Sequence, residues 1–249
     1  MASIENDIRA LANPERAVQS QRYFKTGPGE YGEGDTFVGL TVPQTRTVAR
    51  RHRDASRTDI LAAANSPIHE VRLCALHILV DQFRRARVAA DRASILNDLL
   101  QLIADNRVNN WDLIDSSAPY IGAAVFERPD PLVLLNSLAA SPSLWERRAA
   151  IMFTAAAIRL GNFAPTLHIS VALLNDTHDL IHKATGWMLR EVGKKDIAAL
   201  RTFLGNHATT MPRTMLRYAI EKLPPSERAH WLAARGQTKG APPEGDAPI

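Results

Sequence analysis

Asp115 stands four residues after Trp111 in the run Asn109-Asn110-Trp111-Asp112-Leu113-Ile114-Asp115-Ser116-Ser117-Ala118-Pro119. The run reads as a helix start, because Asn109 or Asn110 can cap orphan N–H groups and Asp112 suits the positive end of the helix dipole. Four residues is one helical turn, so the Trp111 indole and the Asp115 carboxylate lie side by side. Ile114, Ala118, Ile121 and Val125 continue an apolar stripe on the neighbouring face. A carboxylate at the edge of such a stripe needs a partner, and the rest of the chain should supply one. In Leu144-Trp145-Glu146-Arg147-Arg148-Ala149-Ala150-Ile151-Met152-Phe153, Arg148 shares a face with Trp145 and Met152. An arginine there either snorkels to solvent or points into a groove to hold an anion. Trp187 lies on a third stripe with Leu180 and Ala184. Taken singly, Trp111, Trp145 and Trp187 are more simply read as core residues.

Other chemistries find little support. The eight histidines yield one helical pair, His178 and His182 beside Asp176 and Asp179, for which solvated helix-start residues are the simpler account than a metal. No nucleophile elbow is present. The glycine-rich stretch Lys25-Thr26-Gly27-Pro28-Gly29-Glu30-Tyr31-Gly32-Glu33-Gly34-Asp35 lacks the Gly-Lys-Ser/Thr ending of a phosphate loop and follows no strand.

The elements that must position these residues are helices. Residues 5–26 read as two helices broken at Asn13-Pro14, and residues 36–42 as a buried loop rather than a strand. Helices follow at about 43–53, 58–65, 67–83, 88–104, 110–126, 130–140, 143–160, 164–175, 178–193, 195–207, 211–222 and 225–235. Short breakers such as Ser141-Pro142-Ser143 and Leu160-Gly161-Asn162 make successive helices antiparallel. Pairs recurring every ~40 residues predict an all-α, HEAT- or armadillo-like solenoid. Residues 1–235 form one domain in this reading, and the Pro/Gly-rich residues 236–249 a disordered tail.

The chain has 249 residues, 45% of them apolar and 22% charged, and a net charge of +4. That composition suits a large soluble core, and no run approaches the ~20 apolar residues of a membrane span. The N-terminal residues lack a secretory pattern, and one cysteine, Cys74, fits a reducing cytoplasm and leaves no multi-cysteine metal site. Arginine is clustered: Arg46, Arg50, Arg51, Arg53 and Arg57 with His52, then Arg84, Arg85 and Arg87. Such patches suit a polyanion, nucleic acid first, although a solvated helix face accounts for charge alone.

Lys25–Asp35, Val38-Gly-Leu-Thr-Val-Pro43, Trp111-Asp-Leu-Ile-Asp115, Trp145-Glu-Arg-Arg-Ala-Ala150 and Lys183-Ala-Thr-Gly-Trp-Met-Leu-Arg-Glu191 occur in this order. Together they resemble the AlkD-like DNA alkylation repair proteins, HEAT-like repeat DNA glycosylases, over about residues 6–225. The resemblance implies a groove-shaped basic face on duplex DNA and excision of cationic N3- or N7-alkylated purines, without metal or cofactor. It implies Asp115 as catalytic aspartate, Trp111 and Trp187 as groove tryptophans, and Arg148 as a contact to the DNA backbone. Tyr23 matches an aromatic contact, and Lys25, Arg46, Arg50, Arg147, Lys183 and Arg190 are the remaining expected DNA contacts. Where the family's best-studied type carries a basic residue two turns after the arginine, this chain has Ala156. The expected partner is double-stranded DNA bearing alkylated purines, bound by a monomer in the cytoplasm at the nucleoid. Two alternatives remain: a relative that binds bent or branched DNA without cutting, and a protein-interaction scaffold.

Overall fold

A computed structural model describes residues 3–234. Among them are fifteen α-helices and one 3-10 helix; the only β-type pairing is an isolated bridge between Thr36 and Ile68. Residues 36–41 are therefore a loop, as their sequence suggests, and Val42 already belongs to the following helix. The expected tail at 236–249 lies outside the described residues.

The helices are α1 (Ile4–Arg9), α2 (Pro14–Tyr23), α3 (Val42–Arg51), α4 (Arg57–Ala64), α5 (His69–Arg85), α6 (Ala89–Ala104), α7 (Trp111–Ile121), α8 (Pro131–Ala139), α9 (Leu144–Phe153), α10 (Ala155–Arg159), α11 (Ala164–Ala172), α12 (Asp179–Lys195), α13 (Ile197–His207), α14 (Arg213–Ala219) and α15 (Pro225–Ala234). Most starts follow the expected chemistry. Asn13 caps α2 with Pro14 in the first turn, Thr41 and Gln44 form a capping box on α3, and Asn110 caps α7.

Two expected helices are interrupted. The span expected at 110–126 ends as α-helix at Ile121 and continues as a 3-10 segment over Gly122–Glu127. Pro119 lies inside α7 and has no N–H to give the carbonyl four residues back, which is that of Asp115. The span expected at 143–160 divides into α9 and α10 at Thr154, whose hydroxyl donates to the Ile151 carbonyl at 2.7 Å. A threonine hydroxyl competing for a helical carbonyl loosens the turn it sits in.

Alternate helices stack into a row. α3 packs on α5, α5 on α7, α7 on α9, α9 on α12, and α12 on α14. A second row backs the first, with α4 on α5, α8 on α9, and α11 and α13 on α12. This two-row arrangement is a helical-repeat fold. The apolar stripe expected on α7 is core: Ile114, Ala118, Ile121 and Val125 are all fully buried. One large apolar cluster runs from α1 to α12, and a smaller one joins the end of α12 to α13 and α14.

Close approach in the row depends on Gly186 in α12. A Cβ built there would stand 2.4 Å from the Met215 carbonyl oxygen of α14 and 2.5 Å from Tyr218 Cβ. Alanine gains about 1 kcal/mol of helix propensity over glycine, but overpacking costs about 1–3 kcal/mol. Gly186→Ala is therefore expected to lower the melting temperature, read by circular dichroism, even though it improves the local helix.

Candidate functional site

Asp115 finds the partner its setting requires in Arg148 of α9. The guanidinium Nε donates to Oδ1 at 3.0 Å and Nη2 to Oδ2 at 2.7 Å, a bidentate pair. Its third nitrogen, Nη1, donates to the Leu180 carbonyl at the start of α12 at 2.5 Å. Arg148 is 4% exposed, so it neither snorkels to solvent nor stands free in a groove. One side chain thereby ties α7, α9 and α12 together. Burial raises the Asp115 carboxyl above its ordinary range; Arg148 pulls it back, and the neighbouring Asp112 charge adds to the rise.

Two cavities meet at this carboxylate. The larger, about 820 Å³, is lined by Tyr23, Phe24 and Trp111, by Arg46, Arg50 and Arg84, and by His77, Asp112 and Asp115 among others. The second, about 590 Å³, is lined by Asp115, Trp187, Arg159, Arg190, Lys194 and Lys195 among others. Tyr120 lies on both, its ring 4.4 Å from the Arg84 guanidinium carbon and 5.9 Å from that of Arg159. The structure thus places Trp111 on one of these cavities and Trp187 on the other, with Asp115 common to both and cations from α3, α5, α10 and α12 lining them.

The other expected contacts fare differently. Tyr23 is 65% exposed with its ring 6.0 Å from that of Trp111, and Arg46 and Arg50 line the larger cavity. Arg190 lines the second cavity while bonded to Glu221. Lys183 sits 2.7 Å from Asp179, and Lys25 3.8 Å from Glu30; both are half exposed and line neither cavity. Arg147 also lines neither cavity. It donates to Asp176 at 2.6 Å and to the carbonyls of Ser141 and Pro142, which fastens the loop before α9. The arginine clusters divide in the same way: Arg57 pairs with Asp98, and Arg85 with Asp54 and Asp81. Ala156 is buried, a place where a cation would be costly, and Arg159 nearby reaches the cavity instead.

Sequence reasoning missed His69. It lies buried at the start of α5, with Nδ1 3.0 Å from Asp35 Oδ2 and Nε2 2.8 Å from Asp112 Oδ2. Arg72 donates to Asp35 Oδ1 at 2.7 Å, and Asn109 donates to the same oxygen at 3.0 Å. Phe24 stacks between Trp111 at 5.5 Å and Phe37 at 5.1 Å, and Phe37 stacks on His69 at 4.5 Å. Glu70 accepts from the backbone N–H groups of Val38, Gly39 and Leu40. The glycine-rich loop and its continuation are therefore bolted to α5 and to the entrance of α7. The signal was the isolated polar set His69, Glu70 and Arg72 within an apolar helix, three side chains that each demand a partner once buried.

His178 and His182 hold no metal arrangement. His178 Nδ1 accepts from the Leu180 N–H, and His182 Nε2 lies 2.5 Å from the Asp176 carbonyl. No cluster of metal-ligating residues occurs among the described residues.

The model of the family described as DNA alkylation repair enzyme matches residues 4–223. The chain belongs to the DNA alkylation repair enzyme family. A solved structure, titled a predicted DNA alkylation repair enzyme from Enterococcus faecalis, superposes with a TM-score of 0.66. The two share 16% identity, over 85% of this chain and 96% of that one, so the likeness is one of fold. No curated protein matches the chain. Membership in the DNA alkylation repair enzyme family supports a role in DNA repair, and no described helix is long and apolar enough to cross a membrane.

Two outcomes follow from the charges. His69 is raised to about 9: burial opposes its charge, but the charge and hydrogen bond of Asp112, helped by Asp35, outweigh it. Its folded value lies above the unfolded value of 6.5, so the stability it contributes is complete below pH 6.5 and is lost as pH rises through 9. His77 is lowered to about 4, chiefly by burial and then by Arg46, so its contribution is lost as pH falls from 6.5 through 4. From these two groups, melting temperature followed against pH is expected to decline on both sides of about 6.5, the alkaline decline vanishing in His69→Gln. Arg148→Ala leaves a buried carboxylate unpaired, costing about 3–5 kcal/mol at neutral pH. Denaturant titrations should show that deficit shrinking as acid protonates Asp115.

Proposed function

We propose that this protein is a DNA glycosylase of base-excision repair that hydrolyses the N-glycosidic bond of positively charged N3- and N7-alkylated purines in duplex DNA. The observation that carries this reading is a carboxylate shared by two cavities, one lined by Trp111 and the other by Trp187, with arginines and lysines among the residues lining both. A cationic alkylpurine needs no proton to leave. As its bond to C1′ breaks, the electron pair moves onto the base and positive charge develops on the deoxyribose. Asp115 is the group placed to oppose that charge, fixed in advance by Arg148 so that nothing reorganises during the step. Water then adds to C1′, and the same carboxylate, made more basic by burial, takes the water proton and passes it to solvent.

The surroundings suit a cationic lesion. Trp111 and Trp187 present faces that attract it, worth ~0.5–2 kcal/mol each. Arg46, Arg50, Arg84, Arg159, Arg190, Lys194 and Lys195 suit phosphates, which give affinity and register without reading sequence. In this reading a HEAT-like groove grips the backbone of duplex DNA and no closed pocket surrounds a flipped base. Arg148, spent on Asp115 and Leu180, supports the site from behind in this reading. We infer that the protein acts as a monomer, without metal or cofactor.

One observation favours a second reading, a DNA-binding relative without excision. All three guanidinium nitrogens of Arg148 are bonded inside the protein, so the Asp115–Arg148 pair also makes sense as a purely structural tie. Release of 7-methylguanine from methylated duplex DNA separates the two. The wild type is expected to release the base at a rate unchanged by chelator, and Asp115→Asn to lose about 100-fold or more. The variant should still bind duplex DNA with an affinity that falls steeply with salt. If neither 7-methylguanine nor 3-methyladenine is released while salt-sensitive binding persists, the second reading replaces the first.

A further inference from the structure

The buried histidine has no place in the chemistry above, yet it touches the element that carries it. A neutral imidazole has one N–H, but both nitrogens of His69 face carboxylate oxygens, Asp35 at 3.0 Å and Asp112 at 2.8 Å. Two acceptors on two sides require the doubly protonated ring. Asp112 accepts from nothing else among the described residues, and its Oδ1 is buried without a partner. His69 is therefore the counter-charge of Asp112, which stands three residues from Asp115 on the same helix and lines the same cavity.

We propose that His69 is a positioning residue of the excision site: clamped between Asp35 and Asp112, it neutralises Asp112 and fixes the first turn of α7 to the glycine-rich loop. The proposal rests on the glycosylase reading and adds a working part to it. Its first effect is on charge. With the His69 imidazole against it, Asp112 repels Asp115 less than a bare carboxylate would. Without His69, the two aspartates face each other as uncompensated like charges. Its second effect is on geometry. Asp35 is held by Arg72 and Asn109 as well, so the relay joins the loop to residues on both sides of the Trp111 turn. Phe24 and Phe37 then fill the space between the imidazole and the Trp111 indole.

The charged and titratable groups facing this relay come from several elements. The loop supplies Asp35, α5 supplies Arg72, His77 and Arg84, α3 supplies Arg46, α7 supplies Asp112 and Asp115, and α9 supplies Arg148. His69 stays charged among them because the two carboxylates outweigh both its burial and Arg72.

The test uses the whole chain and two readouts. In carboxyl-labelled protein, carbon NMR follows the Asp112 and Asp115 titrations in wild type and in His69→Gln. The variant is expected to take up the first proton of the pair about one pH unit higher. Single-turnover release of 7-methylguanine is expected to fall about tenfold to a hundredfold, with duplex affinity within threefold. Adding Asp112→Asn, which removes the charge that His69 answers, should return most of the lost rate. A His69→Gln variant that only melts earlier, with the pair's titration and the single-turnover rate unmoved, overturns the proposal. Should that variant fail to fold, Asp35→Asn weakens the other anchor of the imidazole and leaves Asp112 intact. It should shift the pair in the same direction by a smaller amount, and no shift overturns the proposal. If the wild type releases no base at all, the glycosylase reading falls, while the NMR titrations still decide whether His69 governs the aspartate pair.

Discussion

An ionised carboxylate cannot be held at the edge of an apolar helix row without a cation in contact with it, and the arrangement of this protein follows from that constraint. Asp115 is answered by Arg148, two hydrogen bonds in parallel, and the guanidinium that answers it is itself buried. A buried arginine must place its remaining N–H, and the Leu180 carbonyl at the start of α12 takes it. The need to satisfy one charge thus sets the spacing of three helices in the row. It also fixes where the two cavities meet, because both end on the same carboxylate.

The same logic repeats one turn earlier on α7. Asp112 is answered by His69, His69 also by Asp35, and Asp35 by Arg72 and Asn109. Buried polar groups of this kind form a chain in which each link requires the next, and partial satisfaction costs more than none. That requirement orders the glycine-rich loop far more tightly than its composition implies. Four glycines and acidic side chains between Lys25 and Asp35 look like free loop, yet Asp35 is as buried as a core residue.

What could be read from the sequence was what depends on periodicity and punctuation. The helices, the cap at Asn13, a cap at Asn109 or Asn110 and the apolar stripe on α7 follow from local spacing; all are present, with Asn110 the cap and two of the helices interrupted. The pairing of Asp115 with an arginine 33 residues away was not legible, because it depends on how α7 and α9 cross. Arg147 and Arg148 are neighbours of the same type, and only the structure separates the one that holds a loop from the one that holds the aspartate. The arginine clusters divide for the same reason, which spacing alone does not show. Arg46 and Arg50 on α3 reach the cavity, while Arg57 opens the next helix, α4, and pairs with Asp98. His69 was passed over because a histidine inside an apolar run carries no spacing signal; its partners come from elements before and after it in the chain.

The bidentate pair also bears on how this chain can change over time. Replacing Asp115 alone strands a buried guanidinium, and replacing Arg148 alone strands a buried carboxylate. Drift at either position therefore carries a stability cost that a matching change at the other would relieve. A descendant that lost its chemistry would keep both for the sake of folding. The aspartate in a distant cousin is accordingly a record of shared architecture first, and its trade must be established by what the cousin does to DNA.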